Sequence, residues 1–506
     1  MSNSGDSSTQ PVGLGTQSAR GLVYFFAGST AAKLVSFSGQ VVLGYLLSTA
    51  DYGNYALAFT ITAFIQVIEQ AGVGDILVQR RNFGRWAAPG FWLALMLGCI
   101  SCALVALAAP IASAYFDVDQ LFWLLLVLAP SSIPNSLTVL PRAQLARQLR
   151  FRALAAINIA NLTLRVVITV ALAAVFSITE QPQLGPFAFV IPVPITSAAT
   201  AAFLWWWVRP PWSPQLHLRR WRFLVGDSTR ILTAELQRVF LDQSDYILMR
   251  NFSRSVEQIG LYWFGFTFSI QMLQLFAFNL MNVLFPALTR LNNQPEAQFR
   301  GFIKAQRILA MLGVSSCFLQ AAIAEPLTHL LLDSKWIPSI VVMQILSLGM
   351  ATRMVAGSSY ALLKSQARFR AILWNRWGFV ALQVFGLVLV LSQGGNIGAV
   401  ALVVAIVASL IGPITFYTAI RPYGAGWGQV AQVLLPPVLS SGTAVGIAWL
   451  IAQYMAHLGF GYLPQLIETL AVAVLLGALF ARTFLRPVWN DLWARTWRLL
   501  PARLTR

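Results

Sequence analysis

"QLRFRA" occupies residues 148–153 and "QARFRA" residues 366–371, one difference in six positions at a separation of 218 residues. Each basic hexapeptide stands between long apolar stretches, and what fills the interval decides the fold. A helix that crosses a hydrocarbon core needs about 20 apolar residues. Fourteen such stretches can be counted, the first over 21–47 and the last over 463–484, and the two hexapeptides introduce the fifth (153–176) and the eleventh (371–392). A second echo is likewise six stretches apart: "DYGNYALAF" (51–59) opens the second stretch and "QIGLYWFGF" (258–266) the eighth, sharing Gly-x-Tyr at 53/55 and 260/262.

Two echoes six helices apart predict a duplicated chain. An even number of crossings preserves orientation, so the halves should be related by a pseudo-twofold along the membrane normal, with a central site between them. The expected fold is an all-α integral membrane protein of about 14 transmembrane helices. Residues 20–222 and 223–424 form two six-helix repeats, and residues 425–484 add two further helices. Residues 1–19 are Ser- and Gly-rich and predict a disordered cytoplasmic tail. The first apolar stretch is too long for a signal-peptide core and predicts an uncleaved anchor. Residues 485–506 set Trp489, Trp493 and Trp497 among arginines, as expected of a basic amphipathic tail lying on anionic lipids.

Composition agrees with this class. Of the 506 residues 57% are hydrophobic and only 10% charged, which one soluble core cannot accommodate. The net charge of +18 does not point to nucleic acid, because 31 of the 35 basic residues are Arg and most fall in short gaps between apolar stretches. With the N-terminus inside, cytoplasmic segments hold 26 of them, Lys364, Arg368 and Arg370 included, and outer loops only Arg250, Arg254 and Lys335. Basic loops resist translocation, so both termini are expected in the cytoplasm.

Six basic residues fall inside spans: Lys33, Arg165, Arg230, Arg238, Arg353 and Arg376. A cation in hydrocarbon is costly unless it faces water or a partner. Lys33, Arg165, Arg238 and Arg353 each sit ~12 to 16 residues into their helices, near mid-membrane at ~1.5 Å per residue. In helix 1, Ser29, Lys33, Ser36 and Gln40 form one polar stripe. In helix 7, Asp227, Glu235, Arg238, Asp242 and Asp245 fall within an arc of about 80°. Lys33, Arg165 and Arg353 have no acidic neighbour at helical spacing, and a water-filled cavity that binds an anion is the expected setting. The candidate substrate site is therefore Lys33, Arg165, Arg238, Arg353 and Arg376. Glu69, Asp75, Glu235, Asp242 and Asp245 are candidates for ion coupling or for charge pairing with these cations. Cys99, Cys102 and Cys317 lie in apolar stretches and His217, His329 and His457 are scattered, so neither a metal site nor a cofactor is expected.

Several stretches together resemble the polysaccharide transporter family, the Wzx-type oligosaccharide flippases of the multidrug/oligosaccharidyl-lipid/polysaccharide exporter superfamily. They are "DYGNYALAF" (51–59), "EQAGVGDILVQRR" (69–81), "LPRAQLARQLRFR" (140–152), "LDQSDYILMRNF" (241–252) with "IGLY" (259–262), "NVLFPALTRL" (282–291) and "SKWIPSIVVMQILSLG" (334–349). One departure is that Glu69 stands where relatives commonly carry Asp, and Asp75 where a neutral residue is usual. The resemblance implies a bacterial inner-membrane protein, not an enzyme, that moves a prenyl-pyrophosphate-linked oligosaccharide outward for surface polysaccharide synthesis. Glycan polymerase and export proteins are the implied partners. A cation-coupled drug exporter of the same superfamily is the nearest rival, and a membrane enzyme of the glycan pathway is a weaker one because the outer loops are short. No lysine lies in a Gly-rich phosphate loop, which excludes an ATP-driven engine in this chain.

Overall fold

The computed structural model describes residues 33–484 apart from 34, 70–71, 80–81, 149, 213, 216–217, 253, 279–283, 285–287 and 290. The tail over 1–19, the first part of helix 1 with Ser29, and the basic segment 485–506 lie outside the described residues.

Among the described residues fourteen helical segments follow one another, several of them broken by short turns. They are α1 (Val35–Leu46), α2 (Thr49–Val78), α3 (Phe83–Phe116), α4 (Asp119–Arg147), α5 (Phe151–Ile178), α6 (Pro182–Val208), α7 (Leu218–Asn251), α8 (Val256–Phe276), α9 (Pro295–Leu331), α10 (Ser334–Ser365), α11 (Phe369–Ser392), α12 (Ile397–Tyr423), α13 (Trp427–His457) and α14 (Tyr462–Phe484). No strand occurs among the described residues. Eleven of the fourteen are long and apolar enough to cross a membrane. Of the other three, α1 and α14 have short described apolar parts, and α7 carries too many charges. The chain is a multi-pass membrane protein.

The two hexapeptides do the same local work. Arg150 precedes α5 with φ −80° and ψ 51°, and Arg368 precedes α11 with φ −82° and ψ 51°. The backbone N–H of Arg150 reaches Leu145 O at 3.0 Å and that of Arg368 reaches Leu363 O at 2.9 Å, again 218 residues apart. Each Arg side chain then grips the last turns of the sixth helix of its own half. The Arg150 guanidinium lies 4.8 Å over the Trp207 ring of α6, and Arg368 Nη1 donates to Thr418 O of α12 at 2.9 Å. The repeat thus encodes a hairpin between the fifth and sixth helices, made twice.

The halves meet where α2 and α8 begin, the outer end in the predicted topology. A Cβ on Gly53 would sit 1.9 Å from Val256 O, and one on Gly260 would sit 1.8 Å from Thr49 O. Each glycine faces the carbonyl four residues before the other, the reciprocal contact that a twofold axis creates. Around this contact the halves are tied to each other at the same end. Trp336 Nε1 donates to Gly44 O at 2.8 Å, Lys335 Nζ to Tyr45 O at 3.3 Å and Arg250 Nε to Phe116 O at 2.8 Å, all from the second half to the first. Two of the three basic residues predicted outside are therefore bound to backbone across the seam, and the third, Arg254, to Gly395 O.

Helices α13 and α14 pack on each other and on α9, at the outside of the second half. Ser315 and Ser441 share a 2.8 Å hydrogen bond between α9 and α13, the kind of polar contact that joins helices where lipid offers no hydrophobic drive. Beside it lies a cavity of about 260 Å³ bounded by α9, α13 and α14.

Candidate functional site

Helix α7 carries the polar ladder. From the cytoplasmic end of the predicted topology it presents Glu235, Arg238, Asp242 and Asp245, about 15 Å of helix at ~1.5 Å per residue. It packs on α2 in the first half and α11 in the second, so its charged face borders the seam between halves. Arg238 Nε binds Glu235 Oε2 at 2.7 Å and its Nη1 lies 3.7 Å from Asp242 Oδ2. Asp242 is shared: its Oδ1 accepts from Arg353 Nη2 of α10 at 3.0 Å. Arg353, which has no acidic neighbour at helical spacing, thus gains one through the fold. Its carboxylate comes from another helix, 111 residues away, where helical spacing cannot reveal it.

The position of Arg353 follows from a break in α10. The helix interrupts its ladder after Arg353 and resumes at Ala356. Gly412 of α12 presses on the break, since a Cβ there would meet Thr352 O at 1.8 Å. Beyond the break α10 presents Tyr360 and Lys364 one turn apart on one face, and Tyr360 is within electrostatic reach of Arg353. Arg376 of α11 places its guanidinium 4.7 Å over the Tyr360 ring and donates Nη1 to Ala234 O at 2.9 Å. Among the described residues it has no ion pair. Lys364 is within electrostatic reach of Arg376, Glu235 and Asp75. It belongs to this cluster, although the charge count assigned it to a loop.

The other two predicted cations lie elsewhere. Lys33 Nζ donates to Gln271 Oε1 of α8 at 2.9 Å and also to Gln274 Oε1. Arg165 of α5 has a buried Nε without a partner among the described residues, and its charge is felt by Tyr55. Gly39 of α1 abuts Val166, which brings α1 and α5 together beside these two. The five predicted cations thus form two groups: Arg238, Arg353 and Arg376 with Lys364 on the α7–α10–α11 side, and Lys33 and Arg165 on the α1–α5 side. Among the described residues no hydrogen bond or ion pair joins the two groups.

The acids divide likewise. Glu235 and Asp242 pair with arginines, and Asp75 is in reach of Lys364. Asp245 is fully buried and accepts from Tyr262 Oη at 2.7 Å and Tyr246 N at 3.0 Å, so it braces the Gly-x-Tyr turn of α8. Glu69 lies inside the first half beside Ser132, with Oε2 buried and unpartnered among the described residues. It makes no ion pair there. Side chains of Asp227 and Arg230 are outside the described residues.

Asp242 holds two arginines, and the pair with Arg353 leaves only 18% of each side chain exposed. Removing one member of a buried pair costs about 3–5 kcal/mol because the other charge is stranded. Asp242→Asn is expected to lower the melting temperature of the purified protein clearly, and adding Arg353→Met should restore much of it. A thermal-shift series on the single and double variants measures this; equal loss in both would show that the pair is not the source.

With this geometry in place the comparisons are decisive for family. The profile of the polysaccharide biosynthesis protein family matches residues 42–341. The chain belongs to this family. The family's match contains the Gly53/Gly260 seam, the α7 ladder and most of the six motifs. The teichuronic acid biosynthesis protein TuaB of Bacillus subtilis (strain 168) is 21% identical over 385 residues, 75% of this chain and 77% of that one. Among solved structures, the lipid II flippase MurJ in an inward closed conformation superposes with a TM-score of 0.68 at 13% identity, covering 92% of this chain and 100% of that one. An inward-facing multidrug resistance MATE family transporter of the MOP superfamily gives 0.60 at 12% identity, over 79% and 94%. The family member therefore has the fold of multi-span membrane transporters.

Proposed function

We propose that the protein is a flippase of the bacterial inner membrane that moves a prenyl-pyrophosphate-linked oligosaccharide outward for surface polysaccharide synthesis, with both termini in the cytoplasm. The observation that carries this is the uncompensated guanidinium of Arg376, held over Tyr360 with Lys364 and Arg353 nearby, at the seam between two similar halves. A planar fork with free N–H donors in a low-dielectric setting suits a pyrophosphate. The ties at the other end of the seam, Trp336 to Gly44 O and Lys335 to Tyr45 O, favour entry of the substrate from the cytoplasmic side. The cavity between α9, α13 and α14 offers the prenyl chain an apolar berth outside the bundle. The names of the relatives support the same direction: one solved neighbour is a lipid II flippase, and TuaB is a teichuronic acid biosynthesis protein.

The direct test is reconstitution. Proteoliposomes loaded on one leaflet with a fluorescent prenyl-pyrophosphate oligosaccharide should move it to the other leaflet, and a prenyl monophosphate without sugar should move far more slowly. Efflux of a cationic dye with no movement of the saccharide lipid would favour the drug-exporter alternative and overturn this reading.

A further inference from the structure

Helix α8 leaves the α-helical pattern at its described end and winds as a π-helix over Gln274–Phe278. Such segments are rare and concentrate at functional sites. Here the distorted turn meets Lys33 from the other half. The Lys33 ammonium binds the amide oxygens of Gln271 and Gln274, and an ammonium has donors only. Both glutamine oxygens must therefore face it, and both NH2 groups must face away. Neither NH2 group has a hydrogen bond among the described residues, nor does Lys33 have an ion pair. The result is a mid-membrane cation that holds two neutral dipoles, next to a set of unused N–H donors. It is also a tie across the seam, from a residue just before α1 in the first half to α8 of the second.

We propose that Lys33, Gln271 and Gln274 form a subsite for a phosphoryl oxyanion, and that its occupation loosens this tie across the seam. A full negative charge attracts the ammonium more strongly than two amide dipoles do. Once the anion holds Lys33, the glutamines turn their NH2 groups to it. Each direct hydrogen bond from Lys33 to a glutamine becomes two in series, each ~2.8 Å long, so the two sides must separate. The proposal rests on the transport reading only for the source of the anion, the head group of a prenyl-linked substrate.

The separation can be read with a short bis-maleimide between Phe37→Cys and Phe268→Cys, two positions that line one small cavity between α1 and α8. The background is Cys99→Ala, Cys102→Ala and Cys317→Ala, with the full chain in phosphatidylcholine nanodiscs. Inorganic pyrophosphate and farnesyl pyrophosphate should each lower the cross-link yield at least about threefold, as a ligand that prefers the separated state does. Lys33→Met should give a low yield that ligand does not change. Should that variant fold poorly, Gln271→Leu/Gln274→Leu tests the same tie from α8, and its affinity for pyrophosphate should fall about tenfold, the loss that goes with a hydrogen bond to a charged group.

A wild-type yield that pyrophosphate leaves unchanged overturns the proposal, as does a Lys33→Met yield equal to wild type. Replacing phosphatidylcholine by phosphatidylglycerol separates the two sources of phosphoryl oxygen: a yield already low in phosphatidylglycerol alone overturns the substrate as source. Loosening by pyrophosphate without any saccharide transport would sink the transport reading and keep the subsite. Wild-type transport per folded molecule in Lys33→Met would do the reverse.

Discussion

Replacing Arg376 by alanine is expected to reduce saccharide-lipid transport per folded molecule by about 10- to 100-fold, the equivalent of ~1.5–3 kcal/mol for a hydrogen bond to a charged group. Arg376 is favoured over Arg353 because of what each guanidinium already holds. Arg353 is neutralised by Asp242 at 3.0 Å, so much of its charge is committed to the fold. Arg376 gives one N–H to Ala234 O and rests on Tyr360, and has no carboxylate partner among the described residues. Arg376→Lys should recover only part of the loss, since an ammonium lacks the fork that binds two phosphate oxygens at once. Tyr360→Phe keeps the ring under the guanidinium and should cost little, whereas Tyr360→Ala should mimic Arg376→Ala in part through lost cation–π support. If Arg376→Ala transports at the wild-type rate once normalised to folded protein, the anion site is not centred on α11. Arg353→Ala makes the contrasting case, with its chief effect on stability through the stranded Asp242.

The architecture was legible because its signals are local and repeated. Two hexapeptides and two Gly-x-Tyr turns carry the duplication in plain view, and their structural roles are matched to within a few degrees of backbone angle at Arg150 and Arg368. Helical spacing found the Glu235–Arg238–Asp242 run because its members share one helix. It could not find the Arg353–Asp242 bridge or the Lys33–Gln271 contact, which join residues 111 and 238 positions apart. Gln271 and Gln274 carry no charge and so gave no sign of a cost in hydrocarbon. Lys364 was hidden for a different reason: it stands near the end of α10, where a count by loops assigns it to the cytoplasm. Its spacing from Tyr360 on one helix face was the signal that would have placed it in the site.

Gly260→Ala should be among the most damaging of the conservative substitutions, and Gly53→Ala its near equal. At either position the added carbon would lie within 2 Å of a backbone carbonyl of the partner helix, which no rotamer change can relieve. The helices must move apart, and overpacking of this kind costs about 1–3 kcal/mol or more. The movement also strains the ties between the halves at the same end, Trp336 to Gly44 O and Lys335 to Tyr45 O. Gly378 supplies the control, since it lies inside α11 with nothing within 4 Å of a new Cβ. Gly378→Ala should therefore be neutral or stabilise by up to about 1 kcal/mol through helix propensity. Thermal shifts of the three single variants measure these effects, and the Gly53→Ala/Gly260→Ala double variant tests the symmetry itself. Residues in contact do not contribute additively. If the two glycines form one reciprocal contact, the first substitution already separates α2 from α8, and the second should add much less than its own single effect. Fully additive losses would mean two independent contacts, and the twofold relation at this seam would have to be given up.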